Sequence, residues 1–348
     1  QWRDNIRRVE PYVPGEQPKE KNVIKLNTNE NPYGPSPRVQ MVKENMDDLR
    51  LYPDPTAGAL VDALAEYHGV NPNQVFVGVG SDDVLSMAFL TFFNAKKPIR
   101  FPDITYSFYD VWAELYRIPY EQPALDENFK IRREDYYGEN GGVVFPNPNA
   151  PTGIAEDLEF VEDIISHNPD VVVIVDEAYV DFGGTSALSL IDKYENLLVV
   201  RTFSKSRSMA GLRIGYAIGQ PELIRALNDV KYSFNSYTMN RPSLLLGVES
   251  IRDEAYFRET VAGIIRTREQ FGEEMKKLGF TFPESKANFI FATHKTAKAK
   301  DIFEAAKKKG IYVRYFNKPR IDNYLRITIG KPEEMETLLK FLKEYLSE

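Results

Sequence analysis

The sequence contains no cysteine and only three histidines in 348 residues. The first absence removes disulfides, thiolate metal sites and cysteine nucleophiles together. The histidines, His68, His167 and His294, are widely separated, so neither an imidazole metal centre nor a Ser-His-Asp triad is expected. No apolar run reaches the length of a membrane span. The opening stretch Gln1-Trp-Arg-Asp-Asn-Ile-Arg-Arg8 is too charged for a secretory leader. Positive charge is in deficit, with 44 Lys and Arg against 51 Asp and Glu and a net charge of −7. A general nucleic-acid binder needs the opposite balance. Repeats and low-complexity tracts are absent as well. What is present is 43% hydrophobic and 27% charged residues, a globular composition. The expectation is a cytoplasmic protein that binds small molecules rather than membranes or nucleic acid, long enough for two domains.

Three regions differ in texture. Residues 1–38 are rich in Pro, Asn and Gly and end in Asn29-Glu-Asn-Pro-Tyr-Gly-Pro-Ser-Pro37. Proline lacks the amide donor and restricts the residue before it, so this reads as an extended arm lying over something else. Residues 39–250 alternate short apolar runs with amphipathic segments, the pattern of an α/β unit. Strands are expected at 75–79, 142–145, 171–175, 197–200 and 214–218, and their continuous apolar runs imply burial on both faces of a largely parallel sheet. Residues 251–348 form a smaller α+β unit. One long helix is expected through Phe257, Ile264, Phe271 and Leu278, then short strands near 289–291, 312–314 and 325–329, with helices over 297–309 and 333–346.

The polar groups with chemical promise follow the predicted strands, where open parallel sheets place their ligands. Gly78-Val-Gly-Ser-Asp-Asp83 is a glycine turn into a helix expected near Val84. Gly80, Ser81 and Asp82 could present amides to a phosphate. Asp83 stands where a dinucleotide fingerprint wants a third glycine, so a single-phosphate site is the better reading. Asp176, opening Asp176-Glu-Ala-Tyr179, follows the most apolar strand and needs a cation or a donor. Arg201-Thr-Phe-Ser-Lys-Ser-Arg-Ser-Met-Ala-Gly-Leu-Arg213 sets Lys205 among hydroxyls and arginines. Neighbouring cations favour a neutral, reactive lysine. Together these outline a site for pyridoxal 5'-phosphate. Lys205 would hold it as a Schiff base, Asp176 would keep its ring nitrogen protonated, and Tyr179 would reach its phenolate oxygen. Arg213, Thr202, Ser204 and the turn at Gly80–Asp82 would take its phosphate.

In order and spacing, Asn147-Pro-Asn-Ala-Pro-Thr-Gly153, Asp176-Glu-Ala-Tyr179 and Ser204-Lys205 through Gly211-Leu-Arg213 resemble the aspartate-aminotransferase-like, fold type I pyridoxal phosphate enzymes. Leu26-Asn-Thr-Asn-Glu-Asn-Pro-Tyr-Gly-Pro-Ser-Pro37, Leu51-Tyr-Pro-Asp54 and Leu325-Arg-Ile-Thr-Ile-Gly330 resemble the class II branch that transaminates L-histidinol phosphate with 2-oxoglutarate to yield L-glutamate, in histidine biosynthesis. The resemblance implies a large domain with a mostly parallel seven-stranded sheet, a smaller α+β domain and a homodimer. It implies that Tyr52 reaches the partner's cofactor phosphate, that Tyr106 stacks on the pyridine ring, and that Arg326, Arg314 and Asn29 lie on the substrate side. Many relatives carry Asn directly before Pro-Thr-Gly, with its amide on the phenolate oxygen. Ala150 stands there in this chain, so the role passes to Asn149 or Asn147. Arg207 stands where relatives often have an aromatic, and a solvated loop charge is expected. An L-threonine O-3-phosphate decarboxylase, a broad aromatic aminotransferase or a cofactor-binding regulator would show many of the same motifs.

Overall fold

The computed structural model describes residues 2–347; the outermost residues of the first and last expected segments, 1 and 348, lie outside them. The arm carries a short strand β1 (Ile24–Lys25). The following strands are β2 (Val75–Gly78), β3 (Ile99–Arg100), β4 (Tyr120–Glu121), β5 (Gly142–Pro146), β6 (Val173–Asp176), β7 (Leu197–Thr202) and β8 (Gly215–Ile218). They form one seven-stranded sheet in the order β2-β8-β7-β6-β5-β3-β4. β3 to β7 run parallel, while β8 is antiparallel to both β7 and β2. β5 and β6 are buried along their whole length, as helices on both faces require. β3 and β4 have two residues each, too few to leave a periodic signature in the sequence.

The second sheet is antiparallel, in the order β12-β13-β10-β9, from β9 (Phe280–Thr281), β10 (Phe289–His294), β12 (Arg314–Tyr315) and β13 (Leu325–Thr328). The strand expected over 312–314 is two strands. β11 (Ile311–Tyr312) pairs in parallel with β1 of the arm, and β12 turns into the antiparallel sheet. The arm is therefore stitched into the smaller unit by Ile24↔Ile311 and Lys25↔Tyr312. Its start is less extended than expected, with a 3-10 turn at Trp2–Asn5.

A 24-residue helix, Glu254–Lys277, joins the two sheets. Asp253 caps it by accepting from the Tyr256 amide, and Lys276 and Lys277 lie in its last turn. Both features match the helix dipole. Val261, Ile264, Phe271 and Met275 are its buried stripe, packed with Phe289, Ile290 and Leu325 of the smaller sheet. Among the described residues no helix is long and apolar enough to cross a membrane.

Candidate active site

The carboxyl ends of β6 and β7, the start of the helix Gly80–Phe92, and the arm converge on one cleft. Thr28, Glu30, Ser81, Asp82, Tyr106, Ala150, Asp176, Tyr179, Thr202, Ser204, Lys205 and Arg213 all line it. Sequence neighbours are not what unites them; the shared strand-end edge is.

Asp176 ends β6 with its side chain buried. Burial pushes its carboxyl up to about 6, against the hydrogen bonds that favour the ionised form. Those bonds come from Tyr109, whose hydroxyl donates to Oδ2 at 2.7 Å, and from the Ala178 amide to Oδ1 at 3.2 Å. Tyr109 is fully buried, and burial beside Asp176 raises its phenol well above the usual value. It therefore stays a donor. Sequence reading missed Tyr109; its place three residues after Tyr106 was the available signal.

On the phosphate side, the helix starts at Gly80, four residues before the expected Val84. Ser81 and Asp82 thus sit in the first turn, where free amides and the positive end of the dipole lie. Gly80 has φ +84°, and a Cβ there would come within 2.6 Å of Arg213 Nη2. Glycine is needed both for the backbone and for the guanidinium lying over it. Arg213 in turn reaches Ser204 Oγ at 3.4 Å, the Ala210 carbonyl at 3.2 Å and Asp82 Oδ2 at 3.8 Å. Thr202 Oγ1 accepts from the Ser204 amide at 3.0 Å. Helix start, hydroxyls and an arginine with part of its surface free make an anion cradle. Tyr106 forms the wall, its hydroxyl donating to Asp82 Oδ1 at 2.7 Å.

The arm supplies the other wall, one residue at a time. Asn27 O accepts from Arg326 Nη2 at 2.9 Å, and Thr28 O accepts from Lys205 Nζ at 3.1 Å. Asn29 Nδ2 donates to the Tyr179 hydroxyl at 3.0 Å. Asn31 Nδ2 donates to the carbonyls of Lys205 and Ser206 at 3.0 and 3.3 Å. Proline and asparagine suit this job, since the segment must keep its backbone groups free of regular pairing.

In the smaller sheet, Arg314 and Arg326 are directly opposite each other on β12 and β13, outside the residues that line the cleft but tied to the arm through Asn27 O. Like charges at paired positions repel. Arg326 Nε is shielded from solvent and, among the described residues, has no hydrogen-bond partner. Burial, and beside it the Arg314 charge, push the Arg326 guanidinium below its usual value despite the neighbouring Tyr179. A pair of cations with an orphaned donor is a place built for an anion. Next to Tyr106, whose ring lies 5.8 Å from that of Phe108, Tyr12 stacks on Phe108 at 4.1 Å and Phe108 on Trp112 at 4.9 Å, an aromatic group that sequence reading did not pick out.

Four expected residues stand elsewhere. Asn149 uses its amide on the turn before Tyr106, accepting from Thr105 Oγ1 at 2.8 Å and donating to the Ile104 carbonyl at 3.0 Å. Asn147 pins its own loop by pairing with the backbone of Glu156. Ala150, not either asparagine, faces the cleft. Tyr52 is 79% exposed and stacks on Tyr237 at 4.6 Å, outside the cleft of its own chain. Arg207 is not the solvated loop charge expected. It is buried, lies over the rings of Phe257 and Tyr67 at 4.1 and 5.1 Å, and donates to the Ser250 carbonyl at 2.9 Å. Aromatic faces and a carbonyl replace the water that an arginine otherwise requires.

Comparison with known proteins identifies the family. The profile of the family "Aminotransferase class I and II" matches residues 21–342. The histidinol-phosphate aminotransferase of Clostridium botulinum (strain Kyoto / Type A2) is 53% identical over 348 residues, 99% of this chain and 98% of that protein. That of Lactococcus lactis subsp. cremoris (strain SK11) is 52% identical over 347 residues, with the same coverage. Among solved structures, the histidinol-phosphate aminotransferase of Sinorhizobium meliloti in complex with pyridoxal-5'-phosphate superposes with a TM-score of 0.84 at 24% identity, over 93% of this chain and 91% of that one. The last likeness speaks for the fold alone. Identity above one half along the full length of both chains speaks for more: the chain belongs to the class I and II aminotransferases, in the group of the histidinol-phosphate aminotransferases.

Proposed function

We propose that the chain is a pyridoxal-phosphate-dependent transaminase that moves the amino group of L-histidinol phosphate to 2-oxoglutarate, giving imidazole acetol phosphate and L-glutamate. The observation that carries the substrate is the facing pair Arg314 and Arg326. L-Histidinol phosphate has a phosphate and no carboxylate, and two guanidiniums around an orphaned donor suit a dianion. In the second half of the cycle the same pair takes a carboxylate of 2-oxoglutarate, since a planar fork serves both anions. The aromatic group of Tyr12 and Phe108 offers a flat face to an imidazole. Asn29 lies beside this substrate end.

Bound pyridoxal phosphate supplies an electron sink for the pair of electrons left at the substrate's Cα. The residues present fit that group: the cradle over Gly80 for its phosphate, the buried Asp176 for its ring nitrogen, Tyr179 for its phenolate oxygen and Tyr106 as a stacking face. Lys205 would hold the cofactor at rest, and its free Nζ would be the base that takes the proton from the substrate's Cα, a positioned transfer worth roughly 10²–10⁴-fold. Asp176 would meet the ring nitrogen as an anion and keep it protonated, with Tyr109 fixing the carboxylate's orientation. Residues 39–250 are taken as the cofactor-holding unit, and 251–348 with the arm 1–38 as the substrate-side unit. The cysteine-free, acidic sequence suits work in the cytoplasm.

Tyr52, exposed and stacked on the exposed Tyr237, is read as a residue of a homodimer interface that completes the partner's phosphate cradle. Exposed stacked aromatics of this kind suit an association surface.

The test is the visible absorption of the holoenzyme. L-Histidinol phosphate should convert the band of the lysine-bound cofactor to that of the amine form, and 2-oxoglutarate should restore it. Lys205→Ala should abolish turnover while cofactor still binds. A band that ignores histidinol phosphate but answers to phenylalanine, or carbon dioxide released from threonine phosphate, would replace this substrate by another. The solved L-threonine-O-3-phosphate decarboxylase from Porphyromonas gingivalis, at 20% identity and a TM-score of 0.76, shares the fold and decides nothing about chemistry.

A further inference from the structure

The hydroxyl of Tyr179 belongs to a chain of hydrogen bonds whose proton directions follow from donor and acceptor chemistry alone. A backbone N–H can only donate, and that of Asn29 donates to Thr328 Oγ1 at 3.0 Å. The threonine hydroxyl thus accepts on that side, and its single proton goes to Asn29 Oδ1 at 2.9 Å. An amide whose oxygen is fixed in this way has its nitrogen at the other end, and Asn29 Nδ2 donates to the Tyr179 hydroxyl oxygen at 3.0 Å. Toward the arm, Tyr179 is therefore an acceptor. Its one proton is left to point elsewhere, and the cleft it lines is what lies on its other side.

The arrangement is over-determined. Asn29, Thr328 and Tyr179 are all buried. Asn29 holds φ 59°, in the left-handed region, while its carbonyl accepts from Asn288 Nδ2 at 2.9 Å. Thr328 is pinned by its own amide, which donates to the Leu26 carbonyl at 3.0 Å. Four hydrogen bonds keep a non-glycine residue in an uncommon backbone state, which is where strain serves a site rather than the fold. Meanwhile Ala150, in the same cleft, has no side-chain donor to offer.

We propose that Thr328 is a positioning residue which, through Asn29, makes Tyr179 a dedicated hydrogen-bond donor to the phenolate oxygen of bound pyridoxal phosphate. This rests on the assignment of Tyr179 to that oxygen and is independent of which amino substrate reacts. A donated O–H stabilises the negative charge left on the oxygen when the linkage to Lys205 loses its proton, so it holds the pH midpoint of that loss low. Without the threonine hydroxyl, Asn29 is free to turn its amide. Its oxygen would then draw the Tyr179 proton away from the cleft.

The measurement is a pH titration of the visible band of the holoenzyme, with no substrate added. Thr328→Val should raise the midpoint by about one pH unit, the size expected for one hydrogen bond to a charged oxygen. Thr328→Ser, which keeps the hydroxyl, should match the parent. Asn29→Asp presents only acceptors to Tyr179 and should shift the midpoint the same way, so the question is answered even if the valine variant folds poorly. In a Tyr179→Phe background, Thr328→Val should add nothing. An unmoved midpoint in both Thr328→Val and Asn29→Asp would overturn the proposal, as would a serine variant displaced as far as valine or a shift that survives undiminished without the Tyr179 hydroxyl. If the parent itself binds pyridoxal phosphate without a titrating band, the linkage to Lys205 and the assignment of Tyr179 fall first and take this one with them. A titrating parent with unmoved variants sinks only the proton chain.

Discussion

Asp176 shows at the scale of one residue how function is held against stability. Its folded value of about 6 lies above the ordinary 3.8 because burial disfavours the charge. Between those values the folded protein binds more protons than the unfolded chain, so this group's contribution is fully present below the unfolded value and is lost as pH rises through the folded one. At neutral pH the cofactor-free protein thus carries a buried carboxylate that Tyr109 and the Ala178 amide compensate only in part, at a cost of at most roughly 3 kcal/mol. Asp176→Asn should stabilise the cofactor-free protein at pH 7 by a part of that amount in thermal or urea denaturation. The gain should vanish near pH 4, while transamination collapses. A cofactor-free variant no more stable at pH 7 than its parent would show that Tyr109 and the Ala178 amide already compensate the charge. The carboxylate was legible in the sequence because it follows a buried strand. Tyr109 was not, because a tyrosine in an aromatic stretch carries no mark of which hydroxyl will meet an acid.

Elements explain where sequence reading succeeds and where it stops. β5, β6 and β7 are long, apolar and followed at once by the residues of the cleft, so strand and site announce each other. The two-residue strands β3 and β4 owe their existence to neighbours across the sheet, and nothing local records that. Arg314 and Arg326 drew attention only through the family resemblance, since their pairing across β12 and β13 is a fact of register. Arg207 is the sharpest case. A guanidinium two residues after the lysine is indistinguishable from surface charge until the helix Glu254–Lys277 brings Phe257 against it. The contact joins the lysine-bearing loop to the helix that connects the sheets, with Glu254 Oε2 a further 3.9 Å from Nη2. Arg207→Ala should therefore lower stability by about 2–3 kcal/mol, from lost ring contacts and an abandoned Ser250 carbonyl. Arg207→Phe keeps the apolar packing and should lose less. Denaturant midpoints check both, and equal losses would mean the packing contributes little.

At the scale of the whole molecule, the proposed homodimer decides which chain completes each cleft. The arm binds the two units together by holding Lys205, Tyr179 and Arg326 from consecutive residues, so the substrate end and the cofactor end of the cleft are set within one subunit. Tyr52 is the exception, exposed outside its own cleft and stacked on Tyr237. If it completes the partner's site, a dimer made of one Lys205→Ala chain and one Tyr52→Ala chain keeps one intact site, because the subunit with the good lysine receives the good tyrosine from the other. Random mixing should then recover about a quarter of the parent activity, as half the dimers are hybrids with one working site of two. If Tyr52 served its own chain, every hybrid would contain one site without lysine and one without tyrosine. Mixing would in that case give no more activity than the Tyr52→Ala protein alone. Co-expression of the two variants with different tags, purification of the hybrid and a turnover assay separate these outcomes without any further structural information, because the arithmetic of the sites differs while the fold does not.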